Sequence, residues 1–305
     1  INDAVKKGNG KSLASSTLYV NLEPCNHFGK TPPCTESIIR HHIPRVVFAM
    51  EDPNPKVNGD GAAKLKAAGI ETTLMTLREA RELNKVFIKN VTAALPYIHL
   101  KLALTSNGAL TLKEGTRSHL TSPASNKRVH MLRSTYDAIL VGKNTILIDN
   151  PRLTSRTKGG KNPLRIILDT HLTLSPTHQA FSQLGSTIIV SAKKKLPPAF
   201  KESHVGLLTC GTNAEGRIDL SRMLKQLYKK GIYSILVEGG KEIAESFLNE
   251  HLVDELTCIH TPLMSKDHKK NVRFPAYIKT RLSHTKAISH GIDRWIKIKG
   301  LTNST

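Results

Sequence analysis

Cys25 and Cys34, separated by eight residues, are the pair whose type and setting point most directly to chemistry. Each follows a proline in the run Leu22-Glu-Pro-Cys25-Asn-His27-Phe-Gly29-Lys-Thr-Pro-Pro-Cys34-Thr-Glu36. Val20 and Leu22 alternate ahead of it as in a strand, and Ile38 and Ile39 after it suit a buried helix face. Cys34 then stands near a helix N-terminus, where partial positive charge favours a thiolate. Two thiolates at a strand-to-helix junction form half of a zinc site. A catalytic zinc also requires a third protein ligand, a water and a carboxylate to move protons. The residues alone assign neither ligand nor carboxylate. His27, His41 and His42 are ligand candidates by type, Glu23 and Glu36 are base candidates by type, and a pair of small buried thiols is the plain alternative.

Two further polar stretches follow apolar runs. Glu238-Gly239-Gly240-Lys241 comes after Ser234–Val237 and before a helical pattern, so backbone amides there could hold a phosphate, although the run is not a GxGxxG fingerprint. Gly142-Lys-Asn-Thr145 with Asp149-Asn-Pro-Arg152-Leu-Thr-Ser-Arg156 reads as a polar loop after a buried strand, and an arginine in it could grip a sugar phosphate bidentately. Asp52-Pro-Asn-Pro55 and Asn58-Gly59-Asp60-Gly61 form a third loop at a strand's carboxyl end, where α/β sheets bind ligands. Plain connections would use the same residue types.

The elements that must position these groups alternate strand and helix. Strands are expected over 17–22, 45–50 and 70–75, with helices over 34–42 and 60–68, the order of a largely parallel, helix-covered sheet. Residues 79–95 read as a helix and a connector, and Pro96 opens a second α/β unit. The expected division is residues 1–93 and 96–305. In the second part strands are expected over 97–104, 138–141, 165–169, 187–190, 205–208, 235–237 and 255–260. Helices are expected over 124–134, 220–230 and 242–248, followed by a less regular tail.

A length of 305 residues suffices for two cores. Four cysteines at this length are no secreted disulfide framework. No apolar run approaches the ~20 residues of a membrane span, and a cytoplasmic enzyme is expected. The net charge of +21, from 45 Lys+Arg against 24 Asp+Glu, suits phosphorylated metabolites, a phosphate-bearing cofactor or nucleic acid, or else reflects lysine-rich surface such as Lys193–Lys195 and Lys269-Lys270. Aromatic residues are too sparse for stacking platforms on single strands. Residue 1 is Ile, and Ile1–Ala4 reads as the middle of a helix, so a missing natural N-terminus is expected.

Taken in order, these pieces resemble the bifunctional riboflavin-biosynthesis family, a pyrimidine deaminase fused to a reductase. The resemblance rests on Leu22–Cys34, Asp52-Pro-Asn-Pro55, Leu100-Lys-Leu-Ala103, Asp137-Ala-Ile-Leu-Val-Gly142, Asn150-Pro-Arg-Leu-Thr154 and Val237-Glu-Gly-Gly240. It implies a cytidine-deaminase-like domain without its N-terminal part, followed by a dihydrofolate-reductase-like α/β domain. The first would hydrolyse the 2-amino group of a phosphoribosylaminated diaminopyrimidinone, and the second would reduce ribosyl to ribityl with NADPH. Cys25 and Cys34 would be two zinc ligands. The histidine ligand and proton-shuttling glutamate of zinc deaminases should lie upstream of residue 1, so no catalytic residue is assignable, the third Zn2+ ligand is missing and this chain should not deaminate. An alternative is a degenerate deaminase retained structurally beside an active reductase.

For the reductase, the resemblance implies NADPH contacts at Ala103, His119, Thr145 and Asp149, with Gly240, Lys241, Glu242, Ile243, Ala244, Glu245 and Ser246 around the cofactor phosphates. It implies substrate contacts at Arg117, Arg133, Leu153, Arg156 and Glu238, with Arg133 and Arg156 toward the ribose 5-phosphate. Gly115–Thr121 departs from the family's Ser-x-Trp-Ile-Thr: Arg117 replaces a small substrate-contacting residue and His119 a stacking tryptophan. Expected partners are the phosphoribosylated pyrimidine and a second copy in a homodimer, without nucleic acid or membrane. The rivals are a nucleic-acid-editing deaminase and a basic RNA-binding protein, and the Val237–Gly240 and arginine-loop motifs argue for small phosphorylated ligands instead.

Overall fold

Strand–helix alternation builds two separate compact units, residues 1–94 and 95–305. The structure is a computed structural model that describes residues 1, 3, 7, 13–28, 31–54, 59–113, 115–182, 185–200, 204–266 and 271–302. Gly29, Pro55, Asn58, Lys269 and Lys270, named above, lie outside the described residues, as do parts of the 1–4 stretch.

In the first unit, β1 (Thr17–Val20), β2 (Arg45–Phe48) and β3 (Glu71–Leu74) form a parallel sheet in that order. Helices α1 (Cys34–Arg40) and α2 (Asp60–Ala67) connect them. Ile38, Ile43, Val46, Leu65 and Ile70 make the core. Each strand is shorter than its apolar run suggests, because the ends of those runs pack as loops: Ala49 and Met50 join Ala80 and Leu22 in a small cluster beyond β2. The 79–95 stretch forms two helices, α3 (Arg78–Leu83) and α4 (Lys85–Ala93), broken at Asn84.

The second unit carries β4 (Tyr97–Leu104), α5 (Pro123–Arg133), β5 (Ala138–Gly142), α6 (Lys143–Asp149), β6 (Leu164–Leu168), α7 (Gln179–Ser182), β7 (Thr187–Ser191) and β8 (Val205–Thr209). It continues with α8 (Leu220–Lys229), β9 (Ser234–Val237), α9 (Lys241–Asn249), β10 (Glu255–His260), α10 (Ala276–Ser283), β11 (Ile288–His290) and β12 (Asp293–Lys299). The sheet order is β11-β12-β10-β4-β9-β5-β6-β7-β8, antiparallel only where β12 pairs with β10 and β11.

Two expectations are corrected here. The 142–145 stretch is no loop: it opens α6, which Ile146 anchors by burying completely. The tail is regular, adding α10 and a hairpin that extends the sheet, because Ile298 reaches the main core while neighbouring residues face outward. Along β4 the two faces differ: Ile98, Leu100, Leu102 and Leu104 enter the core, whereas His99 opposite them meets Tyr136 Oη at 2.6 Å and Thr257 Oγ1 at 2.8 Å. Lys101 lies on that polar face, one pleat further toward the carboxyl edge.

Candidate active site

The carboxyl ends of β5 and β9 each run straight into a helix, at Gly142 and Gly240. Ile243 of α9 wedges between these turns. A Cβ on Gly142 would lie 2.5 Å from the tip of the Ile243 side chain, at Cδ1, and one on Gly239 would lie 2.7 Å from Ile243 Cβ, so Gly142 allows this Ile243 rotamer and position 239 requires glycine. Gly240 has open space on the side where a Cβ would stand. The N-terminal amides of α9 therefore face a cleft of about 550 Å³.

Thr145, Asp149, Gly240, Lys241, Glu242, Ile243 and Ser246 line this cleft. Ala103, His119, Ala244 and Glu245 are not among its lining residues. For Ala244 and Glu245 the reason is helical periodicity. Lys241, Ile243 and Ser246 share the cleft side of α9, whereas Ala244 packs in the core with Phe247 and Leu248, and Glu245 accepts a hydrogen bond from the Arg273 amide at 2.7 Å. His119 and Arg117 stand close enough to Asp149 for their charges to counter the burial that raises its pKa. The 111–118 segment is shaped by Ser118 Oγ, which lies 2.8 Å from Thr111 Oγ1 and accepts from the Leu112 amide at 3.0 Å.

The cleft continues across β6 to the 212–218 hairpin after β8, and sequence reasoning missed this end. Thr170, His171, Asn213 and Arg217 line it. Asp169, which also lines it, is buried and accepts from the Thr173 and Leu174 amides at 2.7 and 2.9 Å, so its charge is spent on its own loop. Asn213 Oδ1 accepts from the Glu215 and Arg217 amides at 3.1 and 3.0 Å and fixes the hairpin. Arg217 pairs with exposed Glu215, an arrangement worth little in water.

A charged cluster stands beside the Gly239-Gly240 turn. Glu238 and Arg133 form a bidentate pair, with Nε–Oε1 2.8 Å and Nη2–Oε2 2.9 Å, both largely buried. Burial would raise the Glu238 pKa, but Arg133 outweighs it and Lys101 adds to the effect, holding the carboxyl at about 2. Arg133 Nη1 also donates to the Thr154 carbonyl at 3.2 Å. Lys101 has its pKa pulled down by burial, against the raising influence of Glu238. Its signal in the sequence was a lysine at an alternating position among strand leucines. Leu153 is buried in the core with Ile146, so it can offer a ligand little beyond backbone, while Arg156 is exposed. Both hold left-handed backbone, at φ 56° and 55°.

In the first unit, the Cys34 amide donates to Cys25 Sγ at 3.3 Å and the Thr35 amide to the Cys25 carbonyl at 3.2 Å, which brings the two cysteines together at the start of α1. Burial and the neighbouring Cys25 raise the Cys34 pKa. Two thiols so placed fit two positions of a metal site. Among the described residues no group of three His, Cys, Asp or Glu could hold a metal ion, so His27, His41 and His42 do not complete it. Glu23 is committed elsewhere: its buried carboxylate accepts from the amides of Asp52, Gly59 and Ala62 at 3.1, 3.2 and 3.0 Å. Glu36 lies 3.8 Å from Lys64 on the next helix.

The RibD C-terminal domain model matches residues 96–292, and the cytidine and deoxycytidylate deaminase zinc-binding region model matches residues 1–50. The riboflavin biosynthesis protein RibD of Aquifex aeolicus is 41% identical over 258 residues, covering 83% of this chain and 71% of that protein. The chain belongs to the RibD family. RibD of Escherichia coli is 35% identical over 267 residues, covering 83% of this chain and 72% of the relative. Among solved structures, the diaminohydroxyphosphoribosylaminopyrimidine deaminase/5-amino-6-(5-phosphoribosylamino)uracil reductase of Thermotoga maritima superposes with a TM-score of 0.81 at 31% identity, over 98% of this chain and 83% of that one.

Proposed function

We propose that this chain is the NADPH-dependent reductase of riboflavin biosynthesis, reducing 5-amino-6-(5-phosphoribosylamino)uracil to its ribitylamino product. The observation that carries the reading is that one turn, between β9 and α9, bears both Gly240 of the cleft lining and Glu238, which pairs with Arg133 and counters the burial that lowers the Lys101 pKa. NADPH, when bound, supplies a hydride to the sugar C1′. Gly240, Lys241 and the amides of α9 hold its pyrophosphate, with Thr145, Asp149 and Ser246 beside it. Residues 93–96 divide the two domains.

The far end of the cleft favours NADPH over NADH. A carboxylate after the second strand of a dinucleotide fold ordinarily binds a ribose hydroxyl. Asp169 stands in such a place but serves its own loop, which leaves Arg217 and His171 to meet a 2′-phosphate. At the reacting end, Glu238 and Arg133 position each other and the sugar, and Arg156 and Arg117 face the substrate. Lys101 holds the proton delivered to the sugar oxygen freed when C1′ is reduced, and its lowered pKa eases that transfer.

Cys25 and Cys34 would supply two ligands of a Zn2+, whose chemistry in this family of sites would be activation of water for hydrolytic deamination. The described residues offer no proton-shuttling carboxylate beside them. The reading includes a cytoplasmic homodimer. It is supported by exposed Ile288 and Ile292 on the edge hairpin, and no helix among the described residues is long and apolar enough to cross a membrane.

The test is NADPH oxidation with the deaminated phosphoribosylaminouracil. Lys101→Met should lower kcat at least about a hundredfold while NADPH still binds. Wild-type kcat should fall as pH rises through the depressed lysine pKa. Absence of NADPH binding in the wild-type chain would overturn the reading.

A further inference from the structure

The phosphate end of the substrate site has a charge deficit. Arg133 is paired through both forks with Glu238, so its charge is cancelled where it stands. Arg156 brings one positive charge, whereas a phosphomonoester carries nearly two negative charges above its second pKa of about 6. A further titratable neighbour is His130, one turn before Arg133 on α5. The Thr154 carbonyl accepts from Arg133 Nη1 and lies 3.2 Å from His130 Nδ1. A carbonyl can only accept, so Nδ1 carries the hydrogen and, in the neutral ring, Nε2 is left with a lone pair. Ser155 Oγ donates back to the His130 carbonyl at 3.0 Å, which locks the ring's helix turn to the loop that bears Arg156.

We infer that His130 is part of the phosphate subsite and takes up a proton when the phosphoribosyl substrate binds, so that Nε2 becomes a second cationic donor beside Arg156. The ligand class rests on the reductase reading, while the geometry of the subsite does not. The charged groups acting on the ring are Arg133 from its own helix, Arg156 from the 153–156 loop and Glu238 from the turn after β9. In the free protein, burial first and then Arg133 and Arg156 hold the His130 pKa below its usual value, against the Thr154 bond and Glu238. A bound dianion reverses the balance.

The sign follows from linkage. A ligand that raises the histidine pKa binds more tightly as pH falls through the bound-state pKa, and the gain levels off below the free-state pKa. Protonation of the phosphate itself opposes this below about pH 6. Affinity for a phosphorylated sugar therefore peaks between the two, and affinity for the unphosphorylated sugar has no such peak.

The experiment is a proton NMR titration of the histidine ring resonances of the whole chain, alone, with ribose 5-phosphate and with ribose. His130→Gln, which keeps a donor for Thr154, assigns the signal. The expected result is a His130 pKa raised by about one unit or more by ribose 5-phosphate and unmoved by ribose. His130→Gln should also raise KM for the phosphorylated substrate about tenfold near pH 6.5 and much less near pH 8. A His130 signal unmoved by saturating ribose 5-phosphate overturns the inference, as does a KM change equal at both pH values. If ribose 5-phosphate fails to bind while NADPH oxidation proceeds, the inference alone falls. If NADPH binding is absent as well, the reductase reading falls with it.

Discussion

Arg133 and Glu238 are separated by 105 positions in the chain, yet each is the other's condition for being buried. Removing one partner of such a pair leaves an uncompensated charge, and the usual cost is about 3–5 kcal/mol. Arg133→Ala should therefore lower unfolding stability by that order in urea titrations. Pairing Arg133→Met with Glu238→Gln should recover most of the loss, since no charge is then stranded. The acid dependence has a definite direction. The folded-state pKa of Glu238 is depressed from an ordinary 4.5 to about 2, so its contribution is complete above the unfolded value. That contribution is lost as pH falls from about 4.5 through about 2. Acid unfolding of the Glu238→Gln variant should lack that part of the profile. A wild-type curve superimposable on the variant's would contradict the pairing.

At the level of elements, the cleft depends on how closely α9 approaches the β5 and β9 turns. Glycines at 142 and 239 permit Ile243 to sit where a Cβ would otherwise be. Gly239→Ala should force α9 outward and weaken NADPH binding by about tenfold or more, the affinity equivalent of roughly 1.4 kcal/mol. Ile243→Gly added to that variant should restore much of the affinity, because it removes the Cβ that would lie 2.7 Å from the new methyl. Fluorescence titration with NADPH reads both. No change in Gly239→Ala would mean that the turn does not hold the cofactor. The first unit uses the same device at Gly61: a Cβ there would lie 1.8 Å from the Pro24 carbonyl oxygen, so the Cys25 loop and α2 fit only with glycine.

At the scale of the whole molecule, the two units carry different chemistries on separate residues. The thiols at Cys25 and Cys34 belong to residues 1–94, and the cleft and charged cluster belong to residues 95–305. Chelation should strip Zn2+ from the protein and leave NADPH oxidation at its original rate. Cys34→Ser should lower zinc content measured on the purified chain without changing the reductase KM. Loss of reductase activity on chelation would show that the units are not independent in function. The +21 charge acts on both, and it favours encounter with phosphorylated ligands most at low ionic strength.

Local rules carried much of this protein. Periodicity marked most strands and helices to within a residue or two, because buried faces repeat at fixed spacing, whereas the Cys25–Cys34 and Val237–Gly240 runs pointed to the family only when taken together and in order. The tail hairpin was hidden because only Ile298 of β12 fully buries among its hydrophobic residues, and α6 because seven residues are too few to show a helical period. Which charges are available was a question the tertiary structure alone decided. Glu23 reads as a base and is a loop anchor, and Arg133 reads as a phosphate ligand and is bound to Glu238. Charge and hydrogen-bond partners are chosen by proximity in space, and the elements bringing those partners together lie up to a hundred residues apart.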